Sequence, residues 1–107
     1  MVPLKLVLTT EGSAEAADTL ARHLLRRRLV ACASLVPCVS LYHWKGELRR
    51  DQEVQLQLKT TAEGLAALLA AITELHGYDL PALEVLDVDA AAAFGAWVVA
   101  ESQPASS

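Results

Sequence analysis

The sequence predicts an α+β sandwich, a four-stranded antiparallel sheet with helices packed on it. Three observations predict it. Residues 30–61, VACASLVPCVSLYHWKGELRRDQEVQLQLKTT, read as one long antiparallel hairpin. A strand pattern and a helical stripe precede it, and the same two patterns follow it in the order helix, strand. Finally, 107 residues that are 53% hydrophobic suffice for one core and for a single domain spanning 1–107.

The hairpin is the most informative stretch. In its second arm Val54, Leu56 and Leu58 alternate with Glu53, Gln55, Gln57 and Lys59. That period of two marks a strand with one buried face. The first arm carries Cys32, Ser34, Val36, Cys38, Ser40, Tyr42 and Trp44 on one face and Leu35, Val39 and Leu41 on the other. Apolar residues on both faces mean that neither face can be left to water. The turn falls at Lys45-Gly46-Glu47, where Gly46 can take a positive φ. Each arm of roughly 14 residues would reach about 45 Å at ~3.3 Å per residue. A compact chain of this size has a radius of gyration of only about 13 Å. The tip, with Leu41, Tyr42 and Trp44, should therefore overhang its own domain and need a cover. Another copy of the chain is the economical cover. Pro37 cannot donate to a ladder, so it marks an edge position or a bulge.

The remaining elements follow in order. Leu4, Leu6 and Leu8 alternate with Lys5, Val7 and Thr9, giving a central strand over residues 3–10. Glu11-Gly12-Ser13 is a turn, with Ser13 as N-cap of a helix over residues 14–28. Its stripe is Ala17, Leu20, Ala21, Leu24 and Leu25, and Arg22, Arg26, Arg27 and Arg28 suit its C-terminal dipole. After the hairpin, Thr60 and Glu63 fit a capping box for a second helix. The stripe of that helix is Leu65, Leu68, Leu69, Ile72 and Leu75, and Gly77 is placed to end it. Residues 82–88 form a further strand, and Asp89 is the expected N-cap of a third helix over residues 90–101 anchored by Phe94, Trp97 and Val98. Residues 102–107 are a frayed tail. The order βαββαβ, with two right-handed split crossovers, is that of the ferredoxin-like sandwich, here with an extra C-terminal helix. One face of the sheet then has only the third helix to cover it, a second reason to expect self-association.

Composition narrows function. The net charge of −4 speaks against nucleic acid as a partner. No apolar run reaches the roughly 18 residues of a membrane span. The N-terminus, MVPLKLVLTT, lacks the charged start and cleavage site of a signal peptide, so the expected compartment is the cytoplasm. Cys32 and Cys38 lie roughly 20 Å apart along an extended arm. They can neither pair nor share a metal ion within one regular strand. No Ser/His/Asp or Cys/His arrangement is recognisable, so no enzyme is expected.

The motif RLVACASLVPCVSLYHWKGELRRDQEVQLQLKT closely resembles the signature of the CutA family of divalent-ion tolerance proteins. Arg28, Leu29, Ala31, Cys32, Pro37, Ser40, Tyr42, Trp44, Gly46, Glu53, Lys59 and Thr60 carry the match. His76-Gly77-Tyr78-Asp79-Leu80-Pro81 resembles that family's His-Pro-Tyr-x-x-Pro loop, and Trp97 falls where the family has a tryptophan in its last helix. The resemblance covers residues 4–101. It implies a ferredoxin-like protomer in a tight, PII-like homotrimer with embracing hairpins, no enzymatic activity, and a role in tolerance of copper and other divalent ions, which some members bind. The chain departs from the pattern. Thr9 stands where some members have a cysteine ligand, Leu75 where some have a second histidine, Gly77 where the loop has proline, and Cys38 where glycine is common.

His76 is the best candidate metal ligand, since neutral imidazole suits copper and zinc. Asp79 or Glu84 could supply oxygen. The plainer reading is that His76 hydrogen-bonds to carbonyls at a helix end. His23 and His43 read as surface residues. Tyr42, Trp44 and Tyr78 read as interface anchors or as part of a pocket between subunits. Glu53 and Lys59 lie on the polar face of the second arm and either pair across a subunit boundary or face water. The alternative function is a PII-like binding module for a small molecule or a protein, without a metal site.

Overall fold

A computed structural model describes residues 1–104. Its elements run β1 (Val2–Glu11), α1 (Ala14–Arg26), β2 (Cys32–Trp44), β3 (Glu47–Thr60), α2 (Leu65–Leu75), β4 (Glu84–Ala90) and α3 (Ala92–Glu101). The four strands form one antiparallel sheet in the order β2-β3-β1-β4. This is the predicted ferredoxin-like order, with β1 central. Among the described residues no helix is long and apolar enough to cross a membrane.

The ladder registers assign the two faces of the sheet. Val7 pairs with Leu58 and Thr9 with Leu56. These residues share a face with Val54 and pack against Ala17, Leu20 and Leu24 of α1 and Leu68, Ala71 and Ile72 of α2. Leu24, Leu56, Leu58, Leu68 and Ile72 are fully buried there. The opposite face carries Leu4, which packs with Ala31, Val2, Val88 and Ala90 beneath Val98 of α3. Beyond that patch Leu6 and Leu8 are only half-buried and Leu86 is exposed. The second face is therefore covered at one end only.

The hairpin turns on two residues. Lys45 and Gly46 have φ of 51° and 80°, while Trp44 already pairs with Glu47. Positive φ at both central positions defines a type I′ turn, whose twist matches that of the strands. Pairing of β2 with β3 runs without a break from Trp44↔Glu47 to Cys32↔Lys59, so Pro37 is an edge residue and not a bulge. Pairing of β1 with β3 stops at Glu11↔Val54. Residues 47–53 of β3 therefore pair with β2 alone and project as a two-stranded ribbon. The protomer is correspondingly elongated, 44 × 30 × 21 Å with a radius of gyration of 14.4 Å. Leu41 is 66% exposed, Trp44 44% and Leu48 68%, so the ribbon carries large apolar side chains that are uncovered in the protomer.

Several local expectations require correction. Helix α1 ends at Arg26, because Arg28 takes a φ of 55° and closes the helix in a Schellman motif. Its amide donates to the Leu25 carbonyl and that of Leu29 to the Leu24 carbonyl, which brings apolar Leu29 back onto Leu24. Leu25 is exposed. Arg22 pairs with Asp18 and Arg28 with Glu101, in keeping with a solvated helix end. Thr60 and Glu63 form no capping box: Thr60 is buried in β3, and Thr61 Oγ1 instead accepts the Gly64 amide before α2 begins. Gly77 is not a left-handed cap, since α2 ends at His76 in extended geometry. Strand β4 starts two residues later than expected and includes Asp89 opposite Pro3, so Asp89 cannot cap α3. Of the anchors in α3 only Val98 is buried, whereas Phe94 and Trp97 stack on each other at 5.8 Å and remain exposed. Ser102 is not frayed, for it is buried and its hydroxyl donates to the Val98 carbonyl. The rest of the expected tail, residues 105–107, lies outside the described residues.

Helix α3 sits close enough to β1 that a Cβ on Gly95 would lie 2.4 Å from Val2 Cβ. Gly95→Ala should therefore cost on the order of 1–3 kcal/mol by overpacking, despite alanine's better helix propensity. Chemical denaturation of the two proteins measures the loss.

Candidate functional site

The polar groups that the fold gathers lie where β1 ends and the loop after α2 arrives. Serine at position 13 makes the local start: its Oγ accepts the Ala16 amide at 3.0 Å and caps α1. Gly12 leaves the room that the loop needs, because a Cβ there would lie 2.9 Å from the Tyr78 hydroxyl. Helix α2 delivers His76 and the chain behind it onto this end of the sheet.

His76 is buried. Its Nε2 lies 2.7 Å from the Thr10 carbonyl oxygen, and its Nδ1 lies 2.9 Å from the Tyr78 amide nitrogen. The carbonyl can only accept and the amide can only donate. Nε2 is therefore the protonated nitrogen and Nδ1 the acceptor, and both ring nitrogens are in use. Glu11, which the sequence placed in a turn, is the last residue of β1 and is 3% exposed. Its Oε2 accepts the Gly77 amide at 3.2 Å, and its Oε1 stands 3.6 Å from His76 Nδ1. Proline at position 77 could not make the Gly77 bond.

Tyr78 completes the group. Its hydroxyl donates to Glu53 Oε2 at 2.8 Å, and its ring lies 5.3 Å from the His76 ring. Glu53 is buried by this contact, so it does not lie on a polar face turned to water. Lys59, opposite Cys32, makes no ion pair among the described residues of the protomer. Burial, then the hydrogen bond to Glu53, push the Tyr78 phenol well above the ordinary tyrosine value. Further along the hairpin the Tyr42 hydroxyl donates to Asp51, and that bond raises the Tyr42 phenol as well.

The other sequence candidates stay apart from this group. Asp79 and Glu84 are exposed, as are His23 and His43. Cys32 and Cys38 are free thiols. Thr9 is buried with its hydroxyl unpartnered, and so is Thr60. Among the described residues no three His, Cys, Asp or Glu side chains are grouped to hold a metal ion. The donors that one protomer gathers near His76 are fewer than the three or four convergent ligands of a specific divalent-cation site. Glu11 and Thr10 were the residues that sequence reasoning missed. The signal available was phase, since Val7, Thr9 and Glu11 continue one face of β1 beyond the point where apolar character stops.

The split βαβ sandwich and its long ribbon define a class of small α+β proteins whose distinguishing parts are the hairpin and the loop after α2. The family model of the CutA1 divalent ion tolerance protein matches residues 5–101, and the chain belongs to the CutA family. The divalent-cation tolerance protein CutA of Escherichia coli K12 is 43% identical over 83 residues, which are 77% of this chain and 74% of that protein. The structure of CutA from Synechococcus elongatus superposes with a TM-score of 0.92 at 35% identity, covering 96% of this chain and 93% of that one. That of the divalent ion tolerance protein CutA1 from Ehrlichia chaffeensis gives 0.91 at 30% identity, with 96% and 98% covered.

The tyrosines set a pH dependence. A phenol with a raised pKa in the folded state contributes no loss of stability below the unfolded value of about 10. Above it the unfolded chain ionises first, so stability falls as pH rises towards the folded value. Phenolate absorbance of the native protein should show both tyrosines ionising later than in the denatured protein. Tyr78→Phe should leave only the Tyr42 transition and weaken the alkaline fall in stability.

Proposed function

We propose that this chain acts as a non-enzymatic homotrimer in tolerance of divalent cations, copper among them, in the cytoplasm. The observation that carries the assembly is the ribbon of residues 47–53 with its partner stretch of β2. It is paired only with itself and exposes Leu41, Tyr42, Trp44 and Leu48. A long two-stranded projection is marginally stable in water by itself, and its exposed large apolar side chains call for a partner that covers them. The second sheet face, half-covered by α3, and the exposed pair Phe94 and Trp97 offer further apolar surface to neighbours. A PII-like arrangement, with hairpins embracing adjacent subunits, buries both at once. The curated relatives are divalent-cation tolerance proteins by name, and this supports the metal-response reading.

A second reading has a specific observation in its favour. His76 spends both ring nitrogens inside the protomer, and Thr9 and Leu75 supply no soft donors beside it. A trimer that binds a small molecule or a protein at its seams, with no metal centre of its own, agrees with that.

Light scattering should report three protomers per particle, and a monomer at micromolar concentration would sink the assembly. Trp44→Ala should shift the trimer towards dissociation on dilution, because a large aromatic anchor is lost from the contact. Calorimetric titration of copper and zinc into the wild type and His76→Ala separates the two readings. Tight uptake that His76→Ala abolishes supports a metal centre, and equal weak uptake by both supports the binding module.

A further inference from the structure

We infer that His76 is a latch for the loop after α2, and that a divalent cation can reach its Nδ1 only by unfastening that loop. The inference deepens the metal-tolerance reading and rests on it only for the choice of probe.

Three consecutive residues fasten the loop to the end of β1 and the middle of β3. His76 donates from Nε2 to the Thr10 carbonyl of β1. The Gly77 amide donates to the Glu11 carboxyl group of β1. The Tyr78 hydroxyl donates to Glu53 of β3. The Tyr78 amide, which points back at His76 Nδ1, ties the first of these links to the third. A neutral imidazole has one N–H and one lone pair. Here Thr10 takes the N–H and Tyr78 the lone pair. The His76 side chain is fully buried, so no lone pair faces solvent.

A cation at Nδ1 would have to occupy the place of the Tyr78 amide. That amide would then lose its partner in a part-buried setting, which carries a cost. Among the described residues Glu11 Oε1 stands 3.6 Å from Nδ1 and no third His, Cys, Asp or Glu joins them, which makes two ligands where a specific site needs three or four. Coordination and loop docking are therefore alternatives. Gly77 strengthens the docked state in this chain, since its amide gives Glu11 a partner that proline would not. His76 is thus a positioning residue. Through Tyr78 it holds Glu53, which lines a groove of about 790 Å³ between residues 12–14, 37–39 and 52–54.

Nitrogen-15 spectroscopy of the imidazole in the assembled protein tests this, together with exchange of the Tyr78 amide. Nδ1 should give the signal of a hydrogen-bond acceptor, and the Tyr78 amide should be protected. One equivalent of zinc alone should leave both signals in place. At higher zinc, any shift of Nδ1 should come with loss of Tyr78 protection. In His76→Ala the Tyr78 amide should exchange about tenfold faster or more. An Nδ1 that does not accept the Tyr78 amide, or a zinc-shifted Nδ1 beside a still-protected Tyr78 amide, would overturn the latch. So would unchanged Tyr78 exchange in a folded His76→Ala. If that variant does not fold, the wild-type zinc titration decides alone. A protein that fails to trimerise would defeat the assembly reading and leave these ring signals as a separate result.

Discussion

The ladder between β2 and β3 outlasts the sheet that should support it, and most of the molecule can be understood from that inequality. Thirteen residues of β2 pair without interruption against β3. The central strand β1 accompanies them only as far as Glu11 opposite Val54. Beyond that point backbone hydrogen bonds are satisfied within the ribbon, but its side chains have no layer to pack against. Hydrogen bonding alone gives a two-stranded ribbon marginal stability at best. The type I′ turn at Lys45 and Gly46 and the unbroken register fix its shape, and its apolar residues fix its need for company.

The point where β1 stops is also where the polar groups collect. Strand ends leave carbonyls and amides without ladder partners, and buried ones must be paired. Thr10 and Glu11 at the end of β1 are met by His76 and Gly77 from the end of α2. Tyr78 continues across to Glu53, the first residue of β3 beyond the reach of β1. The same structural event, the early end of the central strand, thus frees the ribbon and creates the dock for the loop.

Membership of the CutA family does not dictate how the side chains around His76 are used. The backbone superposes closely on family structures. Both nitrogens of His76 are engaged within the protomer. Thr9 and Leu75 offer no soft donors, and the Gly77 amide engages Glu11. A histidine whose two nitrogens hold a loop in place is a different chemical object from one with a lone pair turned to solvent.

The period-two alternation of β3, the turn at Lys45-Gly46, the apolar stripes of the helices and the resulting βαββαβ order were legible in the chain alone. They depend on neighbours in sequence, where steric and hydrophobic periodicity act directly. Family membership was legible too, because its motifs are runs of adjacent residues. Helix ends were less so: Thr60 and Asp89 resemble caps in sequence, but pairing in β3 and β4 claimed them first, since a ladder bond and a cap compete for the same backbone. The partners of His76 could not be read, because Thr10 and Glu11 lie some 65 positions away and only the packing of α2 on β1 brings them within hydrogen-bond distance. Sequence settled which elements form. Tertiary structure decided which polar groups are spent on holding them together, because that depends on distances that no local pattern encodes.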